Sequence, residues 1–573
     1  MEVGPAFTAR AAGTIDRDWV LERRAAPIAQ PLEQISTSTV CIPMRDGVQL
    51  SGQLYSPVGA GPLPGVVIAN GYGASLDPQF AETIAQLAGR GYLVLFARMR
   101  GTKPSEGKGG LYEQFGPDTH DLIEWLGQHR ACDGNVGMAG ASLLGLVQYL
   151  GAREAPRHLK ALLPDDAGAD NYWYLWHPGG MSSGPGRQMR NMVEGAENEY
   201  ALALEHPDYD TFWRDRTIQE SDLKAIAARG VAVFLTSGWD SYMLGSAKSF
   251  EWLKSGNPGK RLKMFVGPWG HGSFMAPDAM LAGQSVLPFT GFEYAVLWLD
   301  RWLKGIANGV EDQLPVLLYV QGPNEWRFER DWPIPDEYRV RLYMRARRAE
   351  TRAGLNDGRL SIDAPTDDAS ATYRYSPEGP FNAVAVNALT RPRFDKSGYE
   401  EHALCWTTEP LEVATELTGY VRVEFWASLS GRDTDFVIEV TDVSPADDGH
   451  RLQSFQVTRG YLNARSFSST NPPSLTPGTP YRFQLELYPT SYVFAAGHRI
   501  RIVLQGAAFD PQAKATLDPI IKVAGVDPAV LTAPQGPGLH NEPVEITLLQ
   551  DAACPSFVEL PIIGSGWLSL VAR

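Results

Sequence analysis

Between Thr39 and Leu54 apolar and polar residues alternate on either side of Arg45-Asp46-Gly47. Asp-Gly is a strong tight-turn pair, so this spacing predicts a β-hairpin. From Pro64 the rhythm changes. Gly65-Val66-Val67-Ile68-Ala69 and Tyr92-Leu93-Val94-Leu95-Phe96 are unbroken apolar runs, the pattern of strands buried on both faces. Residues 78–90 between them read as a helix. Residues 117–129 read as another, with Pro117 near its first turn and Leu122, Trp125 and Leu126 on one face. Val136-Gly137-Met138-Ala139 is a short strand that runs into a helix from Leu143 to Arg153. Strands alternating with helices predict a mostly parallel sheet with helices on both faces, an α/β class.

Residues 166–224 break this alternation with an aromatic, Gly-rich stretch (NYWYLWHPGG) and then charged helical sequence, so a helical insertion is expected. The α/β pattern resumes at Val231 to Thr236 and Lys263 to Val266, with a helix at 291–305. After Pro315 short strands with frequent Gly, Pro and Asp take over (YVRVEFWASL, DFVIEVTDV, RFQLELYP, HRIRIVLQG), the composition of a β-sandwich. The expected division is 1–165 and 225–312 for the two parts of an α/β core, 166–224 for the insertion and 313–573 for the sandwich. The first thirty or so residues lack clear periodicity and are expected to wrap the surface.

The length of 573 residues and a hydrophobic fraction of 44% suit more than one buried core. The formal net charge of −15 argues against nucleic acid or an anionic membrane as a partner. Cys41, Cys132, Cys405 and Cys554 lie far apart with no metal-binding spacing, so no disulfide framework and no metal site are expected. No secretory leader and no apolar run of membrane-spanning length is visible, which makes a cytoplasmic protein the default expectation.

Candidate chemistry centres on Gly140-Ala141-Ser142-Leu143-Leu144-Gly145, where a strand runs through a tight turn into a helix. A serine at such an elbow has its hydroxyl thrust out of the sheet, at a helix N-terminus that favours negative charge. Small neighbours are needed because the turn is cramped. GxSxxG is less specific than GxSxG, and a helix N-cap is the bland alternative for Ser142.

In the α/β-hydrolase arrangement an acid and then a histidine follow the nucleophile in chain order. Two strand ends supply them, Phe234-Leu-Thr-Ser-Gly-Trp239-Asp240 and Val266-Gly-Pro-Trp-Gly270-His271. Both fall at the carboxyl edge of the sheet, where open α/β sheets bind ligands. His271 would take the proton of Ser142 and Asp240 would hold the imidazole in the required tautomer. Among ten histidines, His498 is the fair competitor; Asp165, Asp166 and Asp170 are the second choice for the acid.

Several segments in order carry a family resemblance: PMRDGVQL at 43–50, NGYG at 70–73, RGTKPSEG at 100–107, CDGNVGMAGASLLG at 132–145, SGWD at 237–240, VGPWGH at 266–271, NEWRFERDWP at 324–333 and AGHRIRI at 496–502. From about Val40 onward the chain resembles the CocE/NonD group of serine hydrolases: cocaine esterase, α-amino-acid ester hydrolase and X-Pro dipeptidyl-peptidase. The resemblance implies an α/β-hydrolase core, a helical cap and a C-terminal jelly-roll β-sandwich, with Ser142, Asp240 and His271 as the triad. It also implies an oxyanion hole formed by the Tyr72 hydroxyl and the backbone N–H of Leu143.

The sequence departs from the group at several points. Leu143 stands where Tyr is usual, and Asp240 follows Trp239 directly, as in the amino-ester members. Those members continue with acidic residues that hold a substrate ammonium. Here Ser241-Tyr242-Met243 follow, which disfavours a cationic α-amino substrate. Arg98 occupies a position that is often Asp in the group.

Trp173, Trp176 and His177 of the insertion, with Tyr242 and Met243, are candidates for an apolar pocket suited to a bulky acyl or aromatic ester. The expected reaction is two-step acyl transfer through Ser142 to water, with no cofactor. A carboxylic ester, as a small-molecule substrate, is the first expectation, an amide or peptide the second, and acyl transfer to another acceptor the third. A homodimer is left open. The reading from a different class is a dead hydrolase scaffold that binds through its sandwich.

Overall fold

A computed structural model describes residues 34–73, 77–181, 202–203, 205–239, 241, 243–270, 291–366, 369–375, 395–445, 452–465, 475–506 and 542–571. The first hairpin pairs β1 (Ile35–Pro43) with β2 (Gln49–Pro57) antiparallel across the Asp46-Gly47 turn. Then β3 (Leu63–Asn70), α1 (Asp77–Gly89), β4 (Leu93–Arg98), α2 (Phe115–Gln128), β5 (Cys132–Ala141), α3 (Leu143–Arg153) and β6 (Leu159–Asp165) alternate as predicted. After the insertion come α4 (Thr211–Arg216), α5 (Glu220–Ala228), β7 (Ala232–Gly238), α6 (Met243–Ser255), β8 (Leu262–Gly267), α7 (Gly291–Leu303), β9 (Val316–Val320) and β10 (Glu325–Glu329).

These strands make one sheet in the order β1-β2-β4-β3-β5-β6-β7-β8-β9-β10. Neighbours from β4 through β9 run parallel, while β1–β2, β2–β4 and β9–β10 are antiparallel. The apolar runs of β3, β4 and β9, and β8 around its one charged residue Lys263, are buried almost throughout.

Two expected boundaries shift. The insertion does not reach residue 224, because α5 spans Glu220–Ala228 and turns Leu223, Ile226 and Ala227 into the α/β core beside α3 and α6. The core does not stop at 312, because β9 and β10 complete its sheet. Val316-Leu317-Leu318-Tyr319-Val320 is apolar on both faces, a run that a sandwich or a sheet interior would use equally.

The rest of the chain, from Tyr338–Arg348 to Phe557–Ile563, is a β-sandwich with its own core, in which the rings of Phe425, Phe436 and Phe483 interlock at centroid separations of 5.0–5.2 Å. The two units are joined at close quarters. Gln321, just past β9, exchanges backbone hydrogen bonds with Ser491 and Val493 at 3.0 and 2.9 Å. Arg327 on β10 grips both oxygens of Glu416 at 2.9 and 2.6 Å. The molecule is an α/β-hydrolase core with a C-terminal β-sandwich. Among the described residues no helix is long and apolar enough to cross a membrane.

Candidate active site

Ser142 stands between β5 and α3 with φ 58° and ψ −121°, a conformation that costs a non-glycine residue on the order of 1–3 kcal/mol. Its side chain makes no helix-capping hydrogen bond, so the N-cap alternative fails. The strain is imposed from outside. Ser142 N–H donates to the Asp165 carbonyl at 2.8 Å, pinning the turn to β6. A Cβ at Gly140 would lie 2.5 Å from that of Leu144, and one at Gly145 would lie 2.6 Å from that of Ala167, so the turn closes only with glycine at both places. Gln148, fully buried on α3, tightens the same corner: its amide donates to the carbonyls of Gly140, Leu144 and Leu163 and accepts from Leu163 N–H.

The Ser142 hydroxyl oxygen accepts a hydrogen bond from the Tyr72 hydroxyl at 2.8 Å, and the Tyr72 oxygen accepts from Leu143 N–H at 3.1 Å. Tyr72 follows β3, in a turn made by Asn70. The wholly buried Asn70 side chain accepts from Tyr72 N–H at 2.9 Å and donates to the Gly73 carbonyl at 3.2 Å. Burial raises the Tyr72 hydroxyl above its ordinary pKa, with the bonds to Ser142 and Leu143 acting the other way, so it stays a proton donor at neutral pH. The structure thus brings Ser142, Tyr72 and Leu143 together. A phenolic O–H and a backbone N–H converge beside a strained serine at a helix N-terminus, a constellation able to hold a negative oxygen.

Asp240, Tyr242 and His271 lie outside the described residues, as does the side chain of Met243. The strands leading to 240 and 271 are described. β7 and β8 end side by side with Gly238 opposite Gly267, and Trp239 N–H donates to the Gly267 carbonyl at 2.9 Å. The competitors for acid and base are among the described residues. Asp165 accepts from the Thr236 hydroxyl at 2.6 Å, and Asp166 from the Ser237 hydroxyl at 2.9 Å and Gly238 N–H at 3.2 Å. These bonds tie β6 to the end of β7. Burial, then the neighbouring Asp166, raises Asp165 well above the carboxylate range. Asp170 accepts from the N–H groups of Tyr172 and Trp173, and burial pushes it up to about 7. His498 bonds Asp442 in the sandwich at 2.9 Å, and the same carboxylate accepts from Tyr492 at 2.6 Å.

The aromatic candidates of the insertion part company. Trp176 donates to the Tyr112 hydroxyl at 3.3 Å, and Tyr112 packs on Phe115, whose ring adjoins Gly71 beside Leu143. Trp176 is therefore part of the buried core cluster that also holds Tyr112, Phe115 and Leu143. His177 is buried, stacked on Tyr172 at 4.6 Å, and desolvation lowers it to about 3, so it packs as a neutral ring. Trp173 faces a cleft of about 280 Å³ shared with Tyr461 and Tyr488 of the sandwich. Arg98 ends β4; its carbonyl accepts from Ser105 at 2.7 Å. Among the described residues no group of three or more His, Cys, Asp or Glu side chains could hold a metal ion.

A family model described as X-Pro dipeptidyl-peptidase (S15 family) matches residues 46–201 and 184–273, and the X-Pro dipeptidyl-peptidase C-terminal non-catalytic domain matches 308–559. Together they run through core and sandwich. This chain is a serine hydrolase of the X-Pro dipeptidyl-peptidase (S15) and cocaine esterase group. The S15 hydrolase is 28% identical over 543 residues to a cocaine esterase of Rhodococcus sp. (strain MB1 Bresler), covering 82% of this chain and 91% of that one. It is 24% identical over 469 residues to a putative Xaa-Pro dipeptidyl-peptidase of Bacillus cereus, covering 74% of this chain and 72% of the relative. It shares its fold with a solved α-amino acid ester hydrolase (TM-score 0.69, 22% identity, 92% of this chain and 97% of the other). Esterases and peptidases both occur among its relatives, and the S15 hydrolase is an enzyme.

The residues that single-chain reading missed are Asn70 and Gln148. Asn70 sits in the NGYG segment, so its turn-forming chemistry was a visible signal. Gln148 has none, because a buried glutamine on a helix shows its purpose only once β5 and β6 are beside it.

Proposed function

We propose that this S15 hydrolase cleaves carboxylic esters through an acyl-enzyme on Ser142, with His271 as general base and Asp240 as its orienting acid. The observation that carries the proposal is the Tyr72 hydroxyl, which donates to the Ser142 oxygen and accepts from Leu143 N–H beside it. Ser142 Oγ adds to the ester carbonyl while its proton passes to His271. The carbonyl oxygen becomes the oxyanion and takes hydrogen bonds from Tyr72 and Leu143, replacing the bond they make to one another in the resting site. Collapse breaks the C–O bond, and His271 returns the proton to the departing alkoxide. Water then repeats the sequence, releasing the acid and free Ser142.

Two features favour an ester over a peptide with a free amino terminus. Asp166 and Asp170 accept from protein donors rather than standing open to an ammonium group, and Asp165, 2% exposed, accepts from Thr236 through one oxygen. Ser241-Tyr242-Met243 after the acid bring no charge. The relative with 91% of its length matched is named an esterase.

A fluorophosphonate probe should label the wild-type chain and leave Ser142→Ala unlabelled. A panel of matched esters, anilides and X-Pro anilides should then show ester turnover leading. Faster cleavage of the X-Pro anilides would replace the ester reading with a peptidase one. Equal labelling of the Ser142→Ala chain would end both.

A further inference from the structure

The segment matched to the non-catalytic C-terminal model begins at residue 308 and so includes β9 and β10. This hairpin lies beside β8 and directly under the two turns that lead to residues 240 and 271. Trp239, the residue before Asp240, donates its indole N–H to the Tyr319 carbonyl of β9 at 2.7 Å. Its ring also meets that of Trp332, centroids 6.3 Å apart, and Trp332 donates to the Tyr420 hydroxyl of the sandwich at 3.2 Å. Tyr420 in turn bonds Glu251 on α6, the helix that follows residue 240. Trp269, two positions before His271, rests on Trp326 of β10 at 5.8 Å, and Trp326 rests on Tyr319 at 5.3 Å.

The two turns also leave each other no room. A Cβ at Gly238 would come within 1.8 Å of the Trp269 carbonyl, and a Cβ at Gly267 within 1.9 Å of the Trp269 ring. On the opposite side Asp166 holds Ser237 and Gly238. The turns before 240 and 271 are therefore clamped between the end of β6 and the hairpin, by two tilted indole pairs and by the hydrogen bond of Trp239 to Tyr319.

We infer that Trp239 and Trp326 are positioning residues for the hydrolytic reaction: the segment classed as non-catalytic sets the geometry of the acid and base through its β9–β10 hairpin. The inference rests on the triad reading above, because it assigns the two clamped turns to Asp240 and His271. Neither tryptophan need touch substrate. A displacement of about 1 Å at reacting groups can cost about 100-fold in rate, so loss of the clamp acts on turnover rather than on binding.

The test uses the full chain and the ester that the wild type turns over fastest. Trp239→Phe keeps a ring and removes the indole N–H. Trp326→Ala removes the support under Trp269, and Trp326→Phe restores a ring there. Active sites are counted by fluorophosphonate titration, so that rates refer to folded enzyme. The expected result is a fall in kcat of about 10-fold or more for Trp239→Phe and Trp326→Ala, with KM within about twofold and Trp326→Phe recovering most of the loss. Wild-type kcat per titrated site in Trp239→Phe and Trp326→Ala overturns the inference. So does a loss that falls on KM, or one that Trp326→Phe does not recover. If Trp326→Ala does not fold, Trp239→Phe decides by itself. Asp240→Asn and His271→Ala run alongside separate the two claims. If they turn over like wild type, the triad reading fails; if they are inactive while the tryptophan variants are normal, only the positioning role fails.

Discussion

Tyr72→Phe removes a single oxygen and leaves the ring in place, 8% exposed in the wild type. That oxygen has two partners, Ser142 Oγ at 2.8 Å and Leu143 N–H at 3.1 Å, and the substitution affects them in opposite directions. Loss of one donor to the oxyanion raises the barrier by about 3–4 kcal/mol. Release of Ser142 Oγ from a neutral hydrogen bond frees the nucleophile by about 1 kcal/mol in the other direction. The net penalty of about 2–3 kcal/mol corresponds to a loss of roughly 30- to 150-fold in kcat. KM should move little, because the interaction strengthens only as charge develops on the oxygen. Folding pays as well: Leu143 N–H loses its acceptor in a buried position, at a cost of about 1–3 kcal/mol. The assay is steady-state hydrolysis of the best ester, normalised to fluorophosphonate-titrated sites, beside a denaturant titration. A kcat within about threefold of wild type at full titration would refute the oxyanion assignment and leave Tyr72 as a packed aromatic.

Two further outcomes are expected. Ser142→Gly and Ser142→Ala should both lose probe labelling, but the glycine variant should be the more stable by about 1 kcal/mol in denaturant unfolding, because the φ of 58° suits glycine and strains alanine; equal stabilities would mean that the elbow stores no strain. Lys263, buried in β8 against the carbonyls of Gln313 and Leu314, has its pKa lowered by burial from 10.5 to about 7. The unfolded chain therefore holds a proton between these two values that the native one has given up, so wild-type stability rises with pH across that window, by up to about 1.4 kcal/mol per pH unit, and the penalty is fully present below it. Lys263→Met should flatten this slope and raise stability at pH 7, and an unchanged slope in denaturant midpoints at pH 7 and 9.5 would contradict it.

The α/β half was legible because its strands are short apolar runs separated by amphipathic helices, and because Gly140, Ser142 and Gly145 announce a cramped turn. Those residues and the strand-turn-helix around them nominated Ser142, with a helix N-cap as the alternative; the strained backbone and the missing capping bond weigh against that alternative. Tyr72 could not be nominated so: nothing local distinguishes a tyrosine after β3 from a packed loop aromatic, and only the family likeness pointed to it. The limits of the insertion and of the sandwich were misjudged for a common reason. Apolar periodicity tells a strand or helix which of its faces is buried, not which neighbour buries it. Leu223, Ile226 and Ala227 on α5, and Val316 to Val320 on β9, fit either side of the boundaries drawn. Trp173 and Trp176, three residues apart, face different surroundings because a tight π-turn, Tyr172–Trp176, carries them around the corner.

The fused sheet bears on how such chains diversify. Because β9 and β10 close the hydrolase sheet while Gln321 and Arg327 fasten it to its downstream neighbour, a genetic crossover at residue 312 would strip two strands from one parent and graft foreign ones onto β8. Exchange would preserve the inner layer only with a breakpoint beyond Glu329, and even there Arg327 would require an acidic residue waiting for it at the counterpart of Glu416. The two halves are thus heritable as a matched set rather than as free cassettes.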